Sequence, residues 1–173
     1  MDNLEHYRRK LRQLNRTVFI EQHHDWFLVK RPKPLPAGKV VPDTPNSYNP
    51  PADITTDGWF GDQWMIAEVK KRGTNPVTQF ISLGRAMNCD VVLLFPGVSK
   101  LHGQFWIENG GIASFSDEGS RHGTQLNGVQ LVPHEPRPVK LGDTLKFGHH
   151  LELAIRDVKG LLAVLDETSR VAS

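Results

Sequence analysis

Gly84-Arg85, Cys89-Asp90-Val91-Val92-Leu93, Ser99-Lys100-Leu101-His102, Asp117-Glu118-Gly119-Ser120-Arg121-His122-Gly123-Thr124, Asn127-Gly128, Leu141-Gly142-Asp143 and Phe147-Gly148 follow one another in that order along the chain. Short apolar runs alternate here with clusters of glycine and small polar residues. That texture predicts short strands joined by tight turns. Strands are expected at Trp64–Val69, Val77–Leu83, Val91–Phe95, Gly103–Glu108, Ile112–Ser116, Thr124–Asn127, Val129–Val132, Thr144–Phe147 and His150–Arg156, with turns at Gly73–Pro76 and Asn127–Gly128. Asn-Gly is a strong hairpin signal because both central positions of the favoured turn need positive φ. No helix-length periodic segment lies between Trp59 and Arg156, so the region reads as an all-β sandwich or barrel.

Outward from that stretch the texture changes twice. Arg31 to Asp57 carries seven of the chain's twelve prolines. Proline removes backbone donors and restricts the residue before it, so an extended linker is expected there. Before it, Leu4, Tyr7, Leu11 and Leu14 recur at 3-4-3 spacing, which predicts a short amphipathic helix over Asp2 to Asn15. Arg8, Arg9, Lys10, Arg12 and Arg16 crowd its other side. They read as a solvated face, with contact to an acidic partner or a membrane surface as the alternative. Thr17 to Val29 holds Phe19, Ile20, Trp26, Phe27, Leu28 and Val29, expected to form one or two short strands or to pack on a folded body. At the far end, Leu161, Leu162, Val164 and Leu165 suit a short helix. The expected organisation is thus 1–30, helix and apolar segment; 31–58, linker; 59–157, the β domain; and 158–173, a tail.

Composition bounds the function. A net charge of +2 over 173 residues is too small to argue for nucleic-acid binding, and residues 59–157 hold ten Lys/Arg against ten Asp/Glu. One cysteine, Cys89, permits no internal disulfide. No apolar run approaches the ~20 residues of a membrane span. A cytoplasmic protein is the expectation.

The ordered motifs resemble the forkhead-associated (FHA) domain family, whose members bind phosphothreonine peptides. The resemblance covers roughly residues 59–157. It implies an FHA-type β-sandwich of two antiparallel sheets. It also implies a phosphothreonine-peptide-binding adaptor in Ser/Thr kinase signalling, whose partner is a Thr-phosphorylated protein, a kinase or its substrate. Phosphate recognition needs charge-assisted donors that converge on one point, and loops at one end of a sandwich can supply them. By resemblance the phosphopeptide-binding set is Arg85, Ser99, Lys100, Arg121 and His122. Gly84, His102, Thr124 and Asn127 would brace the pocket. Ser99 and His102 match the family's Ser-x-x-His loop, in which the histidine is architectural. His122 departs from the family, which usually has asparagine there. A histidine cannot reproduce the paired geometry of a side-chain amide. A phospho-independent scaffold with a drifted pocket is therefore the alternative reading.

Other chemistry is not expected. The chain has no Gly-x-Ser-x-Gly, phosphate-cradling loop or His-Glu-x-x-His motif, so no catalytic residue is assigned. Adjacent histidines on a strand face opposite ways, so His23-His24 and His149-His150 make no metal site. No cofactor is expected. Cys89 reads as a small buried residue. Trp59, Trp64 and Trp106 read as packing.

Overall fold

The computed structural model describes residues 2–23, 26–31, 64–72, 79–108, 111–149 and 151–171. The turn expected at Gly73–Pro76 and nearly all of the linker lie outside them. Among the described residues, twelve strands and three helices follow in order: β1 (Asp2–Asn3), α1 (Leu4–Gln13), α2 (Arg16–Gln22), β2 (Trp26–Lys30), β3 (Met65–Val69), β4 (Phe80–Gly84), β5 (Val91–Val92), β6 (Gly103–Glu108), β7 (Gly111–Asp117), β8 (Thr124–Leu126), β9 (Val129–Gln130), β10 (Arg137–Pro138), β11 (Thr144–Phe147), β12 (Leu151–Arg156) and α3 (Val158–Val171).

The strands form two sheets. One has seven strands in the order β1-β3-β2-β12-β11-β8-β9, and the other has five in the order β10-β7-β6-β4-β5. All pairings are antiparallel except β4 with β5, where Leu83 lies opposite Val91. The expected β-sandwich is what the chain forms. Most expected strands appear within a residue or two, and β6 and β11 match to the residue. Val91–Phe95 shortens to two residues. The edge strand β10, which pairs Arg137 with Phe115 and Pro138 with Ser114, was not expected. Its proline is tolerated because an edge strand can leave one donor position empty. Asn127 and Gly128 have φ of 51° and 83°, as the hairpin signal requires.

Period-2 alternation decides which side chains enter the sandwich. Leu151, Leu153 and Ile155 of β12 point inward with Leu145, Phe147, Phe105, Phe115, Leu83 and Leu93, all nearly free of solvent. Phe105 and Phe115 meet edge-to-face at 4.8 Å. A second core lies on the other side of the larger sheet. There Phe27, Val29 and Ile66 meet Leu4 and Tyr7 of α1, Phe19 of α2, and Leu161, Leu162 and Leu165 of α3. Val158, Leu161, Leu162 and Leu165 follow the 3.6-residue period, which puts them on one face of α3.

β2 explains the continuous run Phe27-Leu28-Val29. Phe27 and Val29 face the helices while Leu28 faces the sandwich, so the strand is buried on both sides. It pairs with β12 through Val29–Ala154 and with β3 through Lys30–Met65. The segment before the linker is therefore a central strand of the sheet. Several basic residues of α1 and its surroundings have partners. Arg8 bonds Glu5 and Thr168, Arg16 pairs with Asp166 at 2.9 Å, and Arg31 pairs with Glu167 at 3.2 Å. The exposed pairs Arg16–Asp166 and Arg31–Glu167 reach α3, each worth about 0–1 kcal/mol.

Candidate functional site

Strand register gathers four loops at one end of the sandwich. In the five-stranded sheet, Leu83 lies opposite Gly103, and Gly103 opposite Asp117. In the seven-stranded sheet, Thr124 lies opposite Phe147, and Phe147 opposite Leu151. The β4–β5, β5–β6, β7–β8 and β11–β12 loops therefore share one end. They carry Arg85, Ser99, Lys100, Arg121, His122 and His149.

Backbone bonds knit these loops. Arg85 N–H donates to Ser99 O at 2.8 Å and Ala86 N–H to Lys100 O at 3.0 Å. Gly84 allows this approach, because a Cβ there would lie 2.2 Å from Lys100 O. Arg85 also reaches across with its side chain, its Nε donating to Val98 O at 3.2 Å. Arg121 N–H donates to Ser99 Oγ at 3.0 Å, which ties the β7–β8 loop to the β5–β6 loop. Ser99 Oγ spends a lone pair on that bond and keeps its own proton to donate. Arg85, Lys100, Arg121 and His122 are exposed around it.

Beneath the loops lies a buried polar relay. Ser99 N–H donates to His102 Nδ1 at 3.0 Å, which leaves the ring proton on Nε2. Nε2 is 3.1 Å from Thr124 Oγ1, whose hydroxyl donates to Asp117 Oδ2 at 2.6 Å. Asp117 also accepts Ser120 N–H and Ser120 Oγ–H, both at 2.7 Å. His102, Asp117 and Thr124 are at most 1% exposed. Each acceptor in the relay has a donor, which is what makes its burial tolerable. The relay fixes Ser99 from below and the β7–β8 loop from behind.

Burial above all, with His122 nearby, holds His102 below the ordinary imidazole value, against the opposite pull of the Asp117 carboxylate and the Gly123 backbone. The unfolded chain therefore takes up a proton at this position before the folded one does. Stability from this group is complete above about pH 6.5 and is lost as pH falls below it. Denaturant titrations at about pH 7.5 and 5.5 should show the native chain weakening in acid, and His102→Gln should flatten that dependence. Asp90 does not interfere in this window. Burial raises its carboxyl, but the Arg72 and Ser82 backbone N–H groups, Ser82 Oγ and Lys71 outweigh that and hold it below the ordinary carboxylate range.

The structure thus places Arg85, Ser99, Lys100, Arg121 and His122 at one end, with Gly84, His102 and Thr124 directly supporting them. Asn127 is elsewhere. It lies past the other end of β8, where it donates from Nδ2 to Asp143 Oδ1 at 2.9 Å and accepts Thr144 N–H at 2.9 Å. It braces the β8–β9 turn, not the loops around Ser99. Asp117 carries more of the support than its place in a run of turn residues suggested. Cys89 is buried, as expected, and burial pushes its thiol up. His23 is buried in the second core, stacked on Phe19 at 4.3 Å. His24 and His150 lie outside the described residues. Among the described residues no cluster of three or more His, Cys, Asp or Glu could hold a metal ion. No helix among them is long and apolar enough to cross a membrane.

Residues 81–148 match the family model described as FHA domain. That stretch takes in the β4–β5, β5–β6 and β7–β8 loops and reaches the start of the β11–β12 loop. Over 77 residues it is 31% identical to the FHA domain-containing protein PS1 of Arabidopsis thaliana, a match that takes in 42% of this chain and 5% of that relative. The chain thus matches only a small part of that relative's length. Among solved structures it is similar to the FHA domain of an Arabidopsis thaliana hypothetical protein, with 23% identity, a TM-score of 0.45, and coverage of 54% of this chain and 75% of that one. It is also similar to the N-terminal FHA domain of Rad53p from S. cerevisiae, solved in complex with a phosphothreonine peptide, with 20% identity, a TM-score of 0.45, and coverage of 55% and 86%.

Proposed function

We propose that this protein is a phosphothreonine-peptide reader, an adaptor that recruits a Thr-phosphorylated protein within cytoplasmic Ser/Thr kinase signalling. FHA domains are binding modules, and the matched residues 81–148 include every member of the proposed set. The observation that carries the reading is Ser99. Its Oγ is held by Arg121 N–H, its hydroxyl proton is left to donate, and Arg85 is bonded to the same loop. A phosphate there gains one hydroxyl donor and the charges of Arg85, Lys100 and Arg121, the combination that charge-assisted recognition needs. Threonine would be preferred to serine through its methyl group, worth on the order of 1 kcal/mol when it is buried. We also take residues 1–31 and 64–171 as one folded body, with the proline-rich stretch inserted between adjacent strands.

A degenerate phosphothreonine peptide pool, set against unphosphorylated and phosphoserine pools, tests the reading. Arg85→Ala should weaken phosphothreonine binding by about 10- to 100-fold, the equivalent of one charge-assisted contact of about 1.5–3 kcal/mol. Binding unchanged in Arg85→Ala would overturn it. The second reading, a phospho-independent scaffold, is favoured by His122 standing where the family usually has asparagine. It predicts partner capture that ignores phosphorylation.

A further inference from the structure

Two polar chains meet at the root of the β7–β8 loop, one on each face of the strand that enters it, and phosphate binding as proposed uses only the inner one. Side chains alternate along β7. Phe115 and Asp117 point into the sandwich, where Asp117 anchors the relay to Thr124, His102 and Ser99. Ser116 and Glu118 point the other way. There Trp106 Nε1–H donates to Ser116 Oγ at 3.0 Å, and Ser116 Oγ–H donates to Glu118 Oε1 at 2.6 Å. The second carboxylate oxygen, Oε2, lies 3.3 Å from His134 Nδ1 on the β9–β10 loop. The outer chain thus ends on one carboxylate, which links β6, β7 and the β9–β10 loop.

His134 makes this contact from an unfavourable backbone. Its φ is 65°, in the left-handed region that side chains other than glycine seldom adopt. In that conformation its N–H donates to Asp117 O at 2.7 Å, and its ring lies beside Gly119, where an added Cβ would be 3.3 Å from Nε2. The ring is exposed, so burial offsets little of the strain, and the contacts to residues 117–119 are what hold it. Glu118 N–H in turn donates to His102 O at 2.9 Å. Residues 117–119 are therefore gripped from both faces. From that root the loop runs through Ser120, bonded to Asp117, to Arg121, whose N–H lies on Ser99 Oγ. The other root is tied separately: Gly148 N–H donates to Gly123 O at 2.9 Å, and the His122 and His149 rings lie 5.7 Å apart.

We propose that Glu118 and His134 are a positioning pair for the phosphopeptide site: neither touches the peptide, and together they hold the β7–β8 loop so that Arg121 N–H stays on Ser99 Oγ and leaves the serine proton for the phosphate. The inference rests on the phosphothreonine-reader reading. A hydrogen bond weakens steeply as its distance and angle depart from the optimum. Without the outer chain, Asp117 alone fixes the root of the loop, and Ser120 and Arg121 gain freedom to withdraw from Ser99. The Ser99 hydroxyl then loses the donor that orients it, and binding weakens although no group that meets the peptide has changed.

The test is His134→Gly in the full chain. Glycine accepts this φ without strain and keeps the N–H on Asp117 O, so the change removes the ring and relaxes the backbone. Thermal unfolding should stay close to or above the parent Tm. Affinity for a fluorescently labelled phosphothreonine peptide, drawn from the pool that the native chain binds, should fall about three- to tenfold. Glu118→Ala should lose a similar factor. Glu118→Gln should keep most of the affinity, because its amide still accepts Ser116 Oγ–H and can donate to His134 Nδ1. In a Ser99→Ala background His134→Gly should cost less than about twofold, since the hydroxyl it positions is gone, and in an Arg85→Ala background it should cost the full factor. Unchanged affinity in His134→Gly, a loss that only follows a fall in Tm, or an undiminished loss in the Ser99→Ala background would overturn the positioning role and leave the reader intact. Absence of any phosphothreonine binding by the native chain would remove both.

Discussion

A chain that begins at residue 59, where the β texture starts, is expected not to fold. It lacks β2, which lies in the middle of the seven-stranded sheet between β3 and β12. It also lacks α1 and α2. Leu4, Tyr7, Phe19, Phe27, Leu28 and Val29 are all buried. At about 1.5–3 kcal/mol for each, their removal forfeits about 9–18 kcal/mol, comparable to the whole stability of an ordinary domain at about 5–15 kcal/mol. Their partners Ile66, Leu161, Leu162 and Leu165 would then face water, and β3 and β12 would present unpaired edges. Such a chain should aggregate on expression, or lack a cooperative transition if recovered. Replacing the linker is expected to cost little. Lys30 and Met65 are direct partners across β2 and β3, so a short Asn-Gly turn in place of residues 32–63 bridges them with little cost. That variant should melt cooperatively near the parent. Cooperative folding of the chain that starts at 59 would contradict the register described for β2.

Gly84→Ala should be the most damaging single change in the site. Its Cβ would meet Lys100 O at 2.2 Å, Lys100 C at 2.9 Å and Cys89 Sγ at 3.0 Å. Two of these are backbone atoms, so the β5–β6 loop must move, and the bonds from Arg85 N–H to Ser99 O and from Ala86 N–H to Lys100 O go with it. We expect a loss of about 2–4 kcal/mol, or about 4–16 °C in Tm. Phosphopeptide binding should fall too, because Ser99 and Arg85 lose their common frame. Gly97→Ala is the matched control. It lies on the neighbouring loop, its added Cβ would meet nothing within 4 Å, and it should change stability by no more than about 0.5 kcal/mol. Equal effects in the two variants would refute the close approach at Gly84.

The two variants also show why much of the site could be read from the chain. Gly84, Ser99, His102 and Thr124 perform roles that depend on residue type at a fixed offset: no Cβ, a short hydroxyl, a ring with two nitrogens. Ser99 and His102 bond to each other across three positions, so their spacing is itself structural. Asn127 shows the limit of that logic. Its residue type was right for a brace, but only the length and direction of β8 say which end of the sandwich it braces. His149 was set aside as half of a histidine pair. No local feature announces that the β11–β12 loop closes onto the β7–β8 loop.

Strand texture, turn chemistry and the absence of helix-length periods determined by themselves that this part of the chain is all-β, a sandwich or a barrel, because period-2 alternation and positive-φ turns are local properties of a few residues. The tertiary structure alone decided that the strands close as a sandwich, that Trp26–Lys30 belongs to it, and that α1, α2 and α3 cover its outer face. It alone decided that Asp117, Thr124 and His102 make one relay, and that His122 meets His149. Each of these depends on pairing between segments far apart in the chain, where burial on both faces or a shared proton selects the partner, and no short window of sequence carries that information.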